Sequence, residues 1–328
     1  MPSSSVRRFF DPDDYGASIR GTIAEITILA RGHFSAKLTR IDLHRLWMQR
    51  FSESLPRVAH ATQPAGRTVV SFRTRPGPSL WRGGVEKTPA TIILSAESDY
   101  YQRSSGPVHF GSMSLPTKAM LGTVGEIKGV PSGGATLISP RPEAMARLLR
   151  LHRKAGDLAE KTPEIIADSN AAYGLEQALI HAMLDCLGQG GVDGDRSAVR
   201  RHQLIMRRFR QLLETHRDDA LFLPQICEMI GVSERTLRRS CQEQIGMGPM
   251  RFLLLRRMHL VRRALRQADP ATETVTSIAT RFGFWELGRF AGSYRGLFAE
   301  PPSATLRQPP DECRQPSVSL PSILAEIA

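Results

Sequence analysis

The residues of this sequence with the most specific chemistry are arginines that follow a glycine turn. Arg235, Arg238 and Arg239 come just after Gly231 and Ser233. In a helix that begins after Ser233, this i, i+3, i+4 spacing places their guanidinium groups on one face. A guanidinium fork pairs with O6 and N7 of guanine in the major groove, and each good pair discriminates by roughly 1–3 kcal/mol. The spacing therefore predicts DNA contact, with a solvated arginine-rich face as the alternative.

The glycine and the serine predict how this helix is positioned. Gly231 tolerates the positive φ that a steep turn between two helices requires, and Ser233 is a good N-cap. Leu237, Cys241 and Ile245 recur every four residues, which predicts a buried face. An apolar helix, a glycine turn and a second helix make a helix-turn-helix unit. The predicted DNA-binding residues of its second helix are Ser233, Glu234, Arg235, Thr236, Arg238 and Arg239.

The pattern occurs a second time further along the chain. Ile226–Val232 and Ile278–Phe284 both begin with an apolar and a small residue and end with apolar, Gly, apolar. Self-similarity at a fixed offset indicates a repeated supersecondary unit. Arg289 is its predicted base or phosphate contact, and Arg295 a predicted phosphate contact. The predicted DNA-binding residues of the second unit are Trp285, Leu287, Gly288, Arg289, Gly292 and Arg295.

The segment between the two units, Pro249–Gln267, has the pattern of one long helix. At about 1.5 Å per residue this helix would span roughly 28 Å. One turn of B-DNA measures roughly 34 Å, so both recognition helices are expected to reach the same side of a duplex.

Residues 223–307 resemble the paired helix-turn-helix domain of AraC/XylS-type transcription regulators. The resemblance rests on Val232–Arg239, Gly246–Pro249, Gly283–Trp285 and Pro301–Ser303. From Gly283 onward the sequence is most similar to the branch that contains the ethanolamine-utilisation regulator. The resemblance implies two units that enter successive major-groove faces of one site, and a cupin-like β-barrel as the sensor.

The second recognition helix departs from this family in one respect. Where many relatives carry a polar or basic residue, this chain has Gly288 and Gly292. The second unit is therefore expected to read bases less and to hold phosphates more.

The charge balance favours a polyanionic partner. The formal net charge is +12, with 44 Lys and Arg against 32 Asp and Glu. Residues 201–308 contain 18 Arg and no Lys against 10 acidic residues. A basic field concentrated in one part of a chain favours nucleic acid. We expect double-stranded DNA as a partner, and no membrane, because the sequence has no apolar run of about 18 residues.

The N-terminus and the cysteines indicate the compartment. The first residues, Met1–Phe10, lack the apolar segment of a signal peptide. Cys186, Cys227, Cys241 and Cys313 are scattered, with no Cys-x-x-Cys pair. This usage opposes a disulfide scaffold and suits a reducing cytoplasm. We expect a cytoplasmic protein that is associated with the nucleoid through DNA.

The N-terminal part has a different pattern, in which short apolar runs alternate with glycine and proline turns. This pattern is typical of a β-sandwich or a small barrel. The predicted strands are Thr22–Leu29, Phe34–Leu43, Leu46–Phe51, Thr68–Arg73, Thr91–Ser95, Val108–Met113 and Ala135–Ser139. The expected fold class is α+β, with an N-terminal cupin-like β-barrel or sandwich sensor with flanking helices and a C-terminal all-α domain with two helix-turn-helix units.

Composition shifts predict the boundaries of these parts. The expected segments are a flexible arm at 1–20, a cupin-like sensor and dimerisation domain at 21–188, a Gly-rich linker at 189–196, a double helix-turn-helix domain at 197–308 and a disordered tail at 309–328. A helical pair is expected at 143–188. The resemblance implies that this pair builds a dimer contact, and packing within one chain is the alternative.

The sensor sequence lacks the motifs of an enzyme or a metal protein. His33, His44, His60 and His109 are widely spaced, without a His-x-His pair or a carboxylate at ligand spacing. We therefore expect no catalytic residues, no metal and no cofactor. Aromatic residues could line an apolar effector pocket or could belong to the core. These residues are Trp47, Phe72, Trp81 and Phe110.

The sequence leads to one main hypothesis and two alternatives. The first is a sequence-specific regulator, an activator that contacts RNA polymerase, forms a homodimer and responds to an unknown small-molecule effector. In the second, the N-terminal domain binds a protein partner instead. The third is an enzyme fused to a DNA-binding tail, as in alkyl-transfer repair, which needs an activated cysteine among zinc ligands. Residues 1–185 contain no Cys, which opposes the third.

Overall fold

The computed structural model describes residues 1–83, 85–86, 88, 90–124, 134–188, 191–192, 197–216 and 221–308. The chain divides into two compact units, Met1–Leu255 and Arg256–Ala328. Within the described ranges, no helix is both long and apolar enough to cross a lipid bilayer.

The first unit contains two antiparallel β-sheets. The strands are β1 (Ser3–Phe9), β2 (Ile23–Ile28), β3 (Ala36–Asp42), β4 (Trp47–Glu53), β5 (Arg57–Thr62), β6 (Arg67–Arg73), β7 (Leu80–Arg82), β8 (Val85–Glu86), β9 (Ile92–Ala96), β10 (Asp99–Ser104), β11 (Val108–Pro116), β12 (Gly134–Ser139) and β13 (Gly191–Val192). One sheet has the order β1-β3-β4-β11-β6-β9-β12-β13, and the other has the order β2-β5-β10-β7-β8. Each predicted strand is present with small shifts of its ends.

The two sheets form a sandwich. Each sheet ends in strands that pair on one side only, β1 and β13 in the larger sheet and β2 and β8 in the smaller. Apolar residues of both sheets share one core, in which the Phe51 and Phe110 rings stack at 4.4 Å and Ile26 and Leu80 are buried. The sandwich alternative is thus confirmed, whereas the barrel is not closed, because the two sheets do not pair with each other among the described residues.

Helices cover the larger sheet and make up most of the other described residues. They are α1 (Pro12–Ala17), α2 (Thr117–Val124), α3 (Pro142–Lys161), α4 (Pro163–Ala167), α5 (Ser169–Gly188), α6 (Ser197–Thr215), α7 (Leu223–Ile230), α8 (Glu234–Ile245), α9 (Pro249–Gln267), α10 (Val275–Arg281), α11 (Leu287–Phe298) and α12 (Pro302–Arg307). The predicted helical pair corresponds to α3 and α5. Leu148 and Leu179 pack with Met48 and Phe72 of the larger sheet in one core cluster, so the pair has a role within the chain.

The N-terminal segment differs from the predicted flexible arm. Ser3–Phe9 pairs with β3 along its whole length. Asp11 then caps α1, since its Oδ1 accepts from the amides of Asp13 at 2.9 Å and Asp14 at 3.2 Å. Tyr15 is fully buried and donates to Glu53 Oε1 at 2.8 Å. The run from Asp11 to Asp14 is thus the N-terminus of a helix and not part of a flexible arm.

The predicted linker and the predicted C-terminal tail lie mostly outside the described residues. Of the predicted linker at 189–196, only β13 lies inside the described residues, where Val192 pairs with Ile138. The predicted tail at 309–328 lies outside them. The first compact unit also keeps the helices up to Leu255 together with the sandwich.

A buried histidine predicts a pH dependence of stability. His152 is 1% exposed, and burial lowers its pKa to about 4, below roughly 6.5 in an unfolded chain. Stability is therefore fully present above pH 6.5 and is lost as pH falls towards 4. We expect a loss of about 2–3 kcal/mol between pH 7 and pH 4.5 from this group. Urea unfolding at both pH values should show a smaller loss in His152→Leu, and equal losses in both proteins would contradict the assignment.

Candidate nucleic-acid interface and sensor cavity

The first helix-turn-helix unit consists of α7 and α8. Gly231 joins them at φ 70°, in the left-handed region, as the turn requires. Ser233 caps α8, since its hydroxyl accepts from the amide of Thr236 at 3.2 Å. Leu237 and Cys241 are fully buried and Ile245 is 1% exposed. The predicted turn, cap and inward face of this unit are confirmed.

The outward face of α8 carries the three arginines. Arg235, Arg238 and Arg239 are all exposed. Arg238 pairs with Glu234 at 3.3 Å, and Arg239, whose side chain is 73% exposed, pairs with Glu243 at 2.9 Å. Exposed i, i+4 pairs contribute only a few tenths of a kcal/mol. A phosphate or a base edge could therefore replace these carboxylates at little cost.

The second helix-turn-helix unit consists of α10 and α11 in the second compact unit. Gly283 has φ 77°, and the Thr274 hydroxyl accepts from the amide of Ser277 at 3.1 Å to cap α10. On the inner side, Phe290 and Tyr294 are buried. The Tyr294 hydroxyl lies 2.9 Å from that of Thr305, which ties α11 to α12.

The outer side of α11 presents the residues that the sequence predicted. Trp285 is 78% exposed, and the Arg289 side chain is 81% exposed and pairs with Glu286 at 3.2 Å. Gly288, Gly292 and Arg295 are exposed, whereas Leu287 is half-buried.

The glycines of α11 give a prediction about stability and close approach. A Cβ at Gly292 would meet nothing within 4 Å, so Gly292→Ala should stabilise the helix by about 0.5–1 kcal/mol. If DNA approaches this face closely, the added methyl group should weaken DNA binding at the same time. Gly296 lies one turn further along the same face and is equally open, so Gly296→Ala is a second probe of that face and should likewise stabilise the helix. Urea unfolding and a DNA titration measure both effects.

The helix between the units agrees with its predicted bounds. It forms one helix, Pro249–Gln267. The spacing of the two recognition helices on a duplex stays a prediction.

Within the first compact unit, the helix-turn-helix packs against the smaller sheet. Tyr101 of β10 meets Phe252, with 6.0 Å between ring centroids, and Val58 belongs to the same core cluster. Asp99 accepts from Arg210 Nη2 at 3.0 Å. Gln244 of α8 donates to the carbonyl of Gly83 at 3.2 Å. The recognition helix is thus anchored to the sheet by its inner side.

A cavity of about 70 Å³ lies between the two sheets. Of the predicted pocket residues, Trp47 and Phe110 line it. Phe72 does not: it is fully buried in the core beneath α3, where its ring meets His152. Trp81 stacks under Arg103 at 3.7 Å instead. Two of the four predicted residues are thus brought together.

The cavity also contains charged residues that sequence reasoning missed. Its lining includes Arg20, Arg57, Arg67 and Arg82, together with Glu53. Arg57 and Arg82 lie on strands that the sequence analysis did not predict. The sequence around Arg57 shows no clear alternation, since Val58 and Ala59 are adjacent apolar residues, and arginine at a strand position is ordinarily taken as exposed.

The described residues offer little for covalent or metal chemistry. Burial raises the pKa of the Cys241 thiol to about 12, and burial with nearby Asp185 raises that of Cys186 to about 12. Both are therefore inert thiols at neutral pH. Within the described part of the chain, no group of three or more His, Cys, Asp or Glu could hold a metal.

Comparison with known proteins concerns mainly the C-terminal part. Residues 226–308 match a family model described as a helix-turn-helix domain. The chain is 43% identical over 106 residues to the probable thc operon regulatory protein of Rhodococcus erythropolis, a match that covers 32% of each chain. It is 33% identical over 96 residues to XylDLEGF operon transcriptional activator 2 of Pseudomonas putida, which covers 29% of this chain and 61% of that one. The match thus spans about a third of the first relative.

Among solved structures, the AraC-like transcriptional activator CuxR is similar over 80% of this chain and 95% of that chain. The identity is 12% and the TM-score is 0.44.

Proposed function

We propose that this chain, whose residues 226–308 form a helix-turn-helix domain of the AraC/XylS type, is a sequence-specific DNA-binding transcription regulator. The observation that carries the proposal is the face of α8 with Arg235, Arg238 and Arg239, held outward by a glycine turn and a serine cap. In such units the N-terminal part of the second helix enters the major groove. The second unit, with Trp285 and Arg289 exposed, supplies further contacts to the same site.

The sandwich is the proposed control element. Strand β10 contacts the cavity with one face and the helices with the other, because successive side chains of a strand point to opposite sides. Tyr100 and Gln102 line the cavity. Asp99 and Tyr101, on the other face, contact α6 and α9. An effector that changes the cavity side of β10 would thereby change the support of the helix-turn-helix.

We also propose how the regulator acts, where it acts and what it binds. The regulator acts as an activator that contacts RNA polymerase, works in the cytoplasm on nucleoid DNA, and responds to a small-molecule effector. It forms a homodimer through the outer side of the α3–α5 pair. The names of the relatives support activation, and the cavity supports the effector.

Selection from a random DNA pool tests the proposal. The full chain would be mixed with random duplexes, and bound sequences amplified over several rounds. We expect enrichment of one site with two conserved blocks about 10 base pairs apart, since two reading helices on one side of a duplex are separated by one helical turn. Affinity for the selected site should exceed that for a scrambled duplex by about 1,000-fold or more at physiological salt. Equal affinity for the two duplexes would overturn the proposal.

A further inference from the structure

The charges around the sandwich cavity do not balance. Arg57 is matched, since its Nε donates to Glu53 Oε2 at 2.8 Å and its Nη2 donates to Gln102 Oε1 at 2.6 Å. Arg20 is matched by an ion pair with Asp42. Arg67 and Arg82 have no ion pair with a carboxylate of the described residues. The cavity therefore has an excess of positive charge.

Arg82 is the more unusual of these two residues. It is 4% exposed, and its three hydrogen bonds go to neutral oxygens: Ser71 Oγ at 3.3 Å, Gln63 Oε1 at 3.2 Å and Ser98 Oγ at 3.1 Å. Its Nε has no hydrogen-bond partner. One face of the guanidinium covers the Tyr100 ring at 3.5 Å. Burial lowers the pKa of Arg82 from its usual value, but arginine stays protonated in proteins.

The surroundings of Arg82 are short of acceptors. Gln63 Oε1 accepts from the hydroxyls of Ser95 at 2.8 Å and Ser98 at 2.6 Å in addition to Arg82. One amide oxygen thus receives several donors, while a buried cation lacks a counter-charge. A buried guanidinium without a carboxylate is unfavourable, and its planar fork matches a carboxylate with two parallel hydrogen bonds. An anion in the cavity would satisfy both deficits.

Part of the remaining cavity wall is apolar. Phe51 and Phe110 stack there, and Ile26 and Val69 add aliphatic surface. At the other end, Trp47 lies between Arg20 at 3.8 Å and Arg67 at 3.6 Å from its ring. We infer that this cavity binds a small organic carboxylate, with the carboxylate group on Arg82 and the hydrocarbon part against Phe51 and Phe110. This inference rests on the proposed function for its role as the effector of a regulator.

The test uses the purified full chain and named probes. Straight-chain monocarboxylates of two to six carbons, each with its neutral amide, are added in thermal-shift and calorimetric titrations, with inorganic phosphate as a separate arm. We expect at least one carboxylate to raise the Tm and its amide to have no effect. Inorganic phosphate should give a smaller rise, because it lacks the apolar part.

Two matched variants test whether Arg82 is the residue that binds the carboxylate. Arg73 is also 4% exposed and has no hydrogen-bond partner on Nε or Nη2, but it does not line the cavity. Arg82→Met should weaken carboxylate binding about 10- to 100-fold, whereas Arg73→Met should leave the Kd within about twofold. Arg82→Lys keeps the charge without the fork and should give an intermediate Kd, which keeps the test valid if Arg82→Met does not fold.

Several outcomes would overturn the inference. They are a wild-type protein that none of the carboxylates stabilises, an amide that binds as tightly as its acid, and equal binding by wild type and both Arg82 variants. Phosphate binding as tight as that of every carboxylate would also contradict an organic ligand. DNA selection without any ligand tests the proposed function separately, so that a failed carboxylate titration with successful selection refutes this inference alone.

Discussion

Replacing all three outward arginines of α8 should abolish recognition of the selected DNA site. In Arg235→Ala/Arg238→Ala/Arg239→Ala each lost contact costs roughly 1–3 kcal/mol, so the combined loss should exceed about 100-fold in affinity. The fold should be retained, because the side chains are exposed and their ion pairs are weak. Fluorescence anisotropy with the selected duplex measures the affinity, and circular dichroism checks the helices.

A triple variant in the sandwich separates recognition from loss of net charge. Arg8, Arg31 and Arg75 are likewise exposed, and their replacement by alanine removes the same charge. This control should bind the selected duplex within a few-fold of wild type. If both triple variants lost affinity equally, the α8 face would act only through the general field of the protein, and the assignment of base contacts would be wrong.

The second large effect concerns the ion pair inside the sandwich. Glu53 and Arg57 are 2% and 1% exposed and meet at 2.8 Å. Glu53→Gln preserves the shape of the side chain but leaves the Arg57 charge without a counter-charge. Because an uncompensated buried charge is costly, we expect a loss of about 3–5 kcal/mol in the free energy of unfolding. Urea unfolding at pH 7 measures it.

Two further variants show whether burial is the cause. Arg147 and Asp185 also meet at 2.8 Å, but both side chains are about half exposed, so Asp185→Asn should cost less than about 1 kcal/mol. The double variant Glu53→Gln/Arg57→Met removes both charges and should recover much of the loss. Similar losses of unfolding free energy in Glu53→Gln and Asp185→Asn would mean that burial does not increase the contribution of the Glu53–Arg57 pair to stability.

The helical half of the chain was accessible from the sequence because its signals are local. Gly231, Ser233 and the four-residue repeat of Leu237, Cys241 and Ile245 predict turn, cap and buried face without information from elsewhere. The bounds of α9 agree with the prediction to the residue. The cap of α8 agrees as well, because Ser233 meets the amide of Thr236.

The sandwich was only partly accessible because its polar residues face inward. Strands β5 and β10 were missed, since Arg57, His60 and Gln102 interrupt the expected alternation of apolar and polar residues. In the structure all three are buried, with Arg57 and Gln102 hydrogen-bonded to each other. Residues distant in sequence satisfy one another, and no local pattern reports such a match.

The DNA-binding faces could be predicted from the sequence, whereas the cavity could be predicted only in part. Exposed residues of α8 and α11 were identified because helical spacing fixes which side chains share a face. Two of the four predicted pocket residues line the cavity, because the residue type alone does not reveal which aromatic rings face it. The positive charge of the cavity was not expected, because it depends on which carboxylates lie near each arginine.

The contact between β10 and the helices limits how this protein could be re-engineered. Val58 and Tyr101 share a core with Ile205 and Phe252, so a cut between sensor and reader at 189–196 would leave that apolar surface bare. A chimera with a foreign reader would aggregate unless its inner side matched Val58 and Tyr101.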